Sequence, residues 1–236
     1  MSARYRLLVF DWDGTLMDSA AHIVASMRAA FRELGAPEHA EARLREVIGL
    51  GMHEALEALF PGCDAAFKRR CAERYRVRFL DTRRPPQLFP GAAEVLRDLS
   101  AQGYLLAVAT GKSRRGLARE LERTGLGDRF HATRCADETR SKPDPAMLRE
   151  ILAQLEVPAA EALVVGDTEY DLEMARKAGA DALAVLYGVH DRPRLLRQAP
   201  AGCLPAIDRL PQWLAARAAP AEGERSARVA ASVQRT

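Results

Sequence analysis

The sequence predicts an α/β protein: a three-layer α/β/α core around a parallel sheet, interrupted after its first strand by a helical insertion. Three observations carry that expectation. Short apolar runs alternate with amphipathic segments of helical length, as in βαβ units. Several of the runs are apolar throughout rather than alternating, as strands buried on both faces are. Residues 18–88 hold helix-period stripes and no convincing strand.

The first run, Leu7-Leu8-Val9-Phe10, stops at Asp11-Trp12-Asp13-Gly14-Thr15, where the Asp-Gly step marks a sharp turn. Residues 104–110 (YLLAVAT) give the second strand, ending at Gly111, and residues 131–135 a short third. Residues 162–166 (ALVVG) give a fourth, ending at Asp167, and residues 182–187 (ALAVLY) a fifth, ending at Gly188. Helices are expected at 92–102, between Pro90-Gly91 and Gly103, at 114–124, at 145–155, and at 171–178 before Gly179. Residues 204–216 are expected to close the core as a last helix, and residues 218–236, poor in apolar periodicity, to form a mobile tail. Within the insertion, Ile23, Met27, Ala30, Phe31 and Leu34 make one helical stripe, and Phe67, Cys71, Tyr75 and Phe79 another. Both stripes are expected to be packing surfaces. Arg83-Arg84-Pro85-Pro86 is the expected return linker, with hinges there and near Asp18. The division is therefore 1–17 with 89–217 as core, 18–88 as insertion and 218–236 as tail.

The chain has 236 residues and a formal net charge of +3. That length buries a substantial core, and so small a charge argues against a nucleic-acid or membrane-surface partner. No apolar run is long enough to span a bilayer, and the N-terminus lacks a secretory pattern. Cys63, Cys71, Cys135 and Cys203 have no CxxC spacing, which fits reduced thiols and a cytoplasmic location rather than a zinc or redox site.

Asp11 and Asp13 place two carboxylates where a buried strand ends. Like charges raise each other's pKa, so a divalent metal, a phosphoryl group or both would relieve the pair; a plain surface turn is the other reading. Thr110-Gly111-Lys112 ends the second strand. It either opens a helix, with Ser113 or Thr110 capping, or aims a hydroxyl and backbone N–H groups at a phosphate. Ser141-Lys142-Pro143-Asp144-Pro145 holds one lysine in a proline-braced loop, either solvated or part of a site. Gly166-Asp167-Thr168-Glu169-Tyr170-Asp171 ends the fourth strand; Thr168-x-x-Asp171, like Thr15-x-x-Asp18, has the form of a capping box. Capping alone does not call for an acid pair, a hydroxyl, a lysine and a second acid group in that order.

In those four places the sequence resembles the haloacid dehalogenase-like hydrolase superfamily, over residues 6–187. The insertion resembles the cap of the subgroup that includes phosphoglycolate phosphatases, pyrophosphatases and β-phosphoglucomutases. The resemblance implies a Rossmann-like core and a set of roles. Asp11 would be the nucleophile that forms an aspartyl-phosphate. Asp13 would protonate the leaving oxygen and then activate water. Mg²⁺ would be held by Asp11, the backbone carbonyl of Asp13 and Asp167. Thr110, Gly111 and Lys142 would bind the phosphoryl group, and Asp171 would support Lys142 or the metal's water. The partner would be a small phosphorylated metabolite, turned over by a monomer or homodimer.

Branches of that superfamily can be weighed on residues. Dehalogenases lack the second aspartate, and Asp13 is present. The phosphonate-cleaving branch needs a cap lysine in a loop, whereas the only lysine of the insertion, Lys68, falls within an amphipathic stripe. An ATPase of the ion-pump type would need membrane segments. A Ca²⁺ loop at Asp11 fails because Leu16 and His22 occupy its glycine and glutamate positions. A phosphomutase or pyrophosphatase stays open, as does a non-catalytic phosphate-binding relative, although Asp11, Asp13 and Lys142 are all in place. Specificity is expected from the cap turn Ile48-Gly49-Leu50-Gly51-Met52-His53-Glu54. The basic run Lys68, Arg69, Arg70, Arg74, Arg76 and Arg78 is expected to be the solvated face of its helix. Phosphoglycolate or another small phosphomonoester is the expected substrate.

Overall fold

A computed structural model describes residues 4–217; the tail expected at 218–236 lies outside the described residues. The chain opens with β1 (Leu7–Phe10) and β2 (Met17–Asp18). It continues through the helices α1 (Ala20–Glu33), α2 (Glu41–Glu46), α3 (Met52–Leu59) and α4 (Ala65–Leu80), and returns through β3 (Gln87–Leu88). Then follow α5 (Ala92–Ala101), β4 (Leu105–Thr110), α6 (Arg114–Thr124), β5 (Ala132–Cys135), α7 (Ala146–Leu155), β6 (Ala162–Gly166) and α8 (Glu169–Ala178). The last elements are β7 (Asp181–Val185), α9 (Arg192–Leu196), β8 (Gly202–Leu204) and α10 (Leu210–Ala215).

Six strands form one sheet in the order β5-β4-β1-β6-β7-β8, and every pairing in it is parallel. β1 is apolar at each position because both of its faces are covered. Leu8 and Phe10 enter one apolar cluster with α5 and α6, and Leu7 and Val9 enter another with α7 and α8. The Rossmann-like three-layer expectation holds. β1 lies between β4 and β6, so the chain fills one side of the sheet, crosses over and fills the other. That reversal leaves a crevice at the carboxyl ends of β1 and β6, the place where open α/β sheets bind ligands.

The insert between β2 and β3 has its own apolar cluster, including Ile23, Met27, Phe31, Leu44, Leu56, Phe60 and Cys71. Phe60 meets Phe31 and Phe67 edge-on, with ring centroids 5.0 and 5.3 Å apart, a preferred aromatic geometry.

Four expectations need correction. Met17–Asp18 and Gln87–Leu88 pair antiparallel as a ribbon at the base of the insert, where no strand was expected; two-residue strands show no period. The helix expected at 204–216 is instead the strand β8 followed by α10. Pro205 biases Leu204 toward extended backbone, and Pro211 sits where a helix tolerates it, in the first turn of α10. Thr15-x-x-Asp18 begins no helix, since α1 starts at Ala20. The basic run on α4 is not all solvated: Lys68 is buried, 2.6 Å from Glu57, and Arg74 and Arg78 pair with Glu33. No described helix is long and apolar enough to cross a membrane.

Candidate active site

The site is built at the ends of three neighbouring strands. The N–H of Asp11 donates to the Val165 carbonyl at 3.0 Å, so the β1–β6 ladder fixes the residue that leaves the sheet. Thr110 is the last residue of β4, and Asp167 directly follows β6. Two glycines make room around Asp167. Gly14 lies in the left-handed region at φ +86°, and a Cβ on it or on Gly188 would collide with the Asp167 carboxylate.

The carboxylate oxygens of Asp11, Asp167 and Asp171 lie within 4.8 Å of one another. Between two of them sits the ammonium of Lys142, which donates to Asp11 Oδ1 at 2.7 Å and to Asp171 Oδ1 at 2.6 Å. All four side chains are buried. Asp171 Oδ2 accepts from the Thr168 hydroxyl at 2.6 Å and from the Thr168 N–H at 3.1 Å, the reciprocal start of α8 suggested by the spacing of these residues. Asp167 accepts from the Thr15 hydroxyl at 2.7 Å and the Val189 N–H at 2.8 Å. Asp11 Oδ2 is buried and has no hydrogen-bond partner.

The electrostatics follow. Burial raises the pKa of Asp11 well above the carboxylate range, against the pull of Lys142. Burial, helped by the charge of Asp171, pushes Asp167 up to about 7. For Lys142 burial acts downward, but Asp11 and Asp171 together outweigh it and its pKa is raised. When ionised, three carboxylates stand against one ammonium, so two negative charges lack a partner. A divalent cation with hard oxygen preference matches both that charge and the donor set, and the orphaned Asp11 oxygen gives it a ligand with no competing bond.

Asp13 stands apart from this cluster. Its carboxylate accepts from the Ser19 hydroxyl at 2.6 Å and from Lys112 Nζ at 3.0 and 2.9 Å. A metal contact from Asp13 would thus have to come through its backbone, as the resemblance implies. Lys112 Nζ also lies 4.8 Å from the centroid of the Phe79 ring, which belongs to α4 of the insert. Thr110 is buried, and its hydroxyl accepts from the Lys112 N–H at 3.2 Å, while Ser113 caps α6 through the Gly116 N–H. Of the two capping candidates, Ser113 is therefore the one used, which leaves Thr110 facing the crevice.

The contacts of Thr15, Ser19 and Lys112 were not foreseen. Thr15 carried a signal, its regular spacing from Asp18, but that spacing pointed to a cap. His53 is exposed and lines a second cavity beside the site with Lys68 and Arg69.

The turn between α2 and α3 closes over the crevice. The Gly51 N–H donates to Ser141 Oγ at 2.7 Å, Gly49 lies against Thr168, and Gly111 lies under the Leu50 carbonyl so closely that a Cβ would not fit. The Tyr170 hydroxyl donates to the Glu46 carbonyl at 2.8 Å. Beneath it is an open-mouthed cavity of about 700 Å³, with Asp11, Asp13 and Thr110 at one end and Ile23, Met27 and Phe79 among its walls. Tyr75 also lines it. The Phe67-to-Phe79 stripe is the packing surface expected: Cys71 is fully buried in the insert's apolar cluster, and Phe67, Tyr75 and Phe79 pack against that cluster. Tyr75 and Phe79 border the cavity as well.

Residues 8–185 match the family model described as haloacid dehalogenase-like hydrolase. An N-acetylmuramic acid 6-phosphate phosphatase of Pseudomonas putida is 34% identical over 191 residues, covering 78% of this chain and 84% of its own length. A phosphoglycolate phosphatase of Pseudomonas fluorescens is 32% identical over 198 residues, covering 80% of this chain and 72% of its own. The crystal structure of a hydrolase from Pseudomonas syringae shares the fold, with a TM-score of 0.83 at 24% identity over 91% of this chain and 100% of that one.

Proposed function

The chain belongs to the haloacid dehalogenase-like hydrolases, and on that premise we propose that it is a Mg²⁺-dependent phosphatase that hydrolyses a phosphomonoester through an aspartyl-phosphate. The observation that carries the proposal is the orphaned Asp11 oxygen in a buried cluster of three carboxylates and one ammonium. Phosphoryl transfer depends on positioning and on neutralising the charge of the transferred group. Asp11 and Asp167, with the backbone of Asp13, would hold Mg²⁺. When bound, the ion lets an anionic ester approach an anionic nucleophile by drawing charge from both.

This chain's own groups do the rest. Lys142 holds one Asp11 oxygen and, with Thr110 and the backbone at Gly111, receives phosphoryl oxygens. The other carboxylate oxygen of Asp11 attacks phosphorus, and the bond to the ester oxygen breaks. Asp13 gives its proton to that leaving oxygen. Asp13 then takes a proton from water, whose oxygen attacks the phosphorus, releasing inorganic phosphate and regenerating the Asp11 carboxylate. Asp171 positions Lys142.

The two relatives are named for phosphoglycolate and for N-acetylmuramic acid 6-phosphate. What those esters share is a phosphomonoester on a small metabolite, and that is the substrate class proposed. The test is hydrolysis of p-nitrophenyl phosphate. Release of p-nitrophenol is expected with Mg²⁺, is expected to stop with EDTA and to resume when Mg²⁺ is restored. Turnover indifferent to EDTA would remove the metal from the proposal. Folded protein that turns over nothing would point to a phosphate-binding relative without catalysis.

A further inference from the structure

The cavity in front of Asp11 is several times larger than phosphoglycolate, and its walls are specific. Three large apolar side chains are notably exposed among the described residues: Val77 at 52%, Leu80 at 49% and Leu196 at 47%. The first two, both on α4, line this cavity. They continue an apolar wall that includes Met27 and Val47. Such a wall at the mouth of a polar site marks a surface that a ligand covers.

The lining is also cationic. Arg115 and Arg119 on α6 line the same cavity, as does Arg76 on α4 beside the apolar wall. Their neighbours are engaged: Arg114 pairs with Glu138 and Arg123 with Glu120. Arg115 and Arg119 make no ion pair among the described residues. They are four residues apart on one helix, hence on one face, a little over one turn or about 6 Å from each other along the axis. Arg115 also lies in the first turn of α6, which carries no acid of its own, although the Asp137 carboxylate accepts from the Arg114 N–H there. Of the acids on the same lining, Glu120 pairs with Arg123 and Asp137 accepts from the Arg114 N–H, while Glu73 on α4 makes no ion pair among the described residues.

We infer that the ester's alcohol is bulky, apolar along the side that meets α4, and carries a second anionic group held by Arg115 and Arg119. This rests on the phosphatase reading and narrows its substrate class. The scissile phosphate lies at Asp11 and Thr110, and the far anion lies along α6. Phosphoglycolate fills only the inner end.

Three esters test it under Mg²⁺: para-propylphenyl phosphate, para-carboxyethylphenyl phosphate and phosphoglycolate. The first two have leaving groups of similar size and acidity and differ in the distal carboxylate. A hydrogen-bonded charge contributes about 1.5–3 kcal/mol, so kcat/KM for the carboxylated aryl ester is expected to exceed that of its neutral partner by about tenfold or more. It is also expected to exceed that of phosphoglycolate. In Arg115→Gln and Arg119→Gln, at exposed positions, the carboxylated ester is expected to lose about tenfold more kcat/KM than the neutral one. Equal turnover of the two aryl esters, a preference that survives both substitutions, or a clear preference for phosphoglycolate would overturn the inference and leave the phosphatase intact. If none of the three esters is hydrolysed by the folded protein, the phosphatase reading falls and takes this inference with it.

Discussion

The two ends of the cavity are built on opposite principles. At the crevice end the side chains are buried and charged, and nearly every polar atom has a named partner; the exception is one oxygen of Asp11. Away from the crevice the walls are apolar side chains of the insert and cations, Arg76 on α4 and Arg115 and Arg119 on α6, that make no ion pair among the described residues. A site whose groups hold one another in place is suited to a fixed reaction. A wall of open valences and uncovered apolar surface is suited to a selected ligand. On the reading proposed above, chemistry belongs to the strand ends and selection to the insert together with α6, and each half can be broken separately.

The largest effect is expected from Asp11→Asn, which removes the proposed nucleophile while keeping its shape. Residues that act as a unit in covalent catalysis lose several orders of magnitude when one is replaced, so kcat is expected to fall by about 10⁴-fold or more, measured on p-nitrophenyl phosphate. Retained turnover would place the chemistry elsewhere. Next comes Lys142→Met. Removing one partner of a buried ion pair leaves uncompensated charge and typically costs about 3–5 kcal/mol. Denaturant unfolding is expected to register that loss at neutral pH, and to register less of it in acid, where the carboxylates become protonated. A stability change below about 1 kcal/mol, the range of exposed pairs, would mean that the cluster is not charged as described.

Gly111→Ala attacks the seam instead. The new methyl group meets backbone, at the Leu50 carbonyl, and backbone cannot rotate aside. Small misplacements in a reacting site can cost about a hundredfold, so kcat/KM is expected to fall by up to that factor while the sheet keeps its stability. Unchanged kinetics would show that the closed seam is not needed for turnover.

The pH dependence of the metal-free protein sharpens the crevice half. Asp11 and Asp167 have pKa values raised by burial. Between the ordinary carboxylate range, about 4, and the value of about 7 at Asp167, the folded chain holds more protons than the unfolded one. Stability without metal is therefore expected to fall as pH rises through that window. A divalent ion binds the deprotonated acids, so the rise in Tm on adding Mg²⁺ is expected to be small near the acid end and larger above it. Calorimetry that finds a pH-independent gain would sever the ion from these carboxylates. The smallest effect is expected from Tyr170→Phe. It deletes one hydrogen bond from core to insert, worth about 1 kcal/mol, and is expected to shift KM by severalfold while leaving the unfolding midpoint nearly in place.

How much of this was legible in the chain follows from range along the sequence. The ends of β1, β4 and β6 were readable because apolar runs stop abruptly at Asp11, Gly111 and Asp167, and a strand's end needs only local signals. That these ends are neighbours came from the alternation of elements. The partnership of Thr15 with Asp167 spans 152 residues, and no local pattern announces it; the local pattern at Thr15 suggested a cap. Lys112 was visible beside Thr110, but its bond to Asp13 depends on how two strands are placed side by side. The ribbon of β2 and β3 was too short to show a period. In the stripe from Phe67 to Phe79, periodicity located a helix face that packs on the insert's apolar cluster and could not show that Tyr75 and Phe79 also border the cavity, because both surroundings require apolar side chains.

The seam between insert and sheet brings Gly49, Leu50 and Gly51 against Gly111, Thr168 and Ser141. The main chain rides there on the main chain, with short side chains between. A fastening of this kind does not depend on which side chains project inward from α1 or α4. The lining of the cavity is thus free to be rewritten, one substitution at a time, without loosening the turn that covers it.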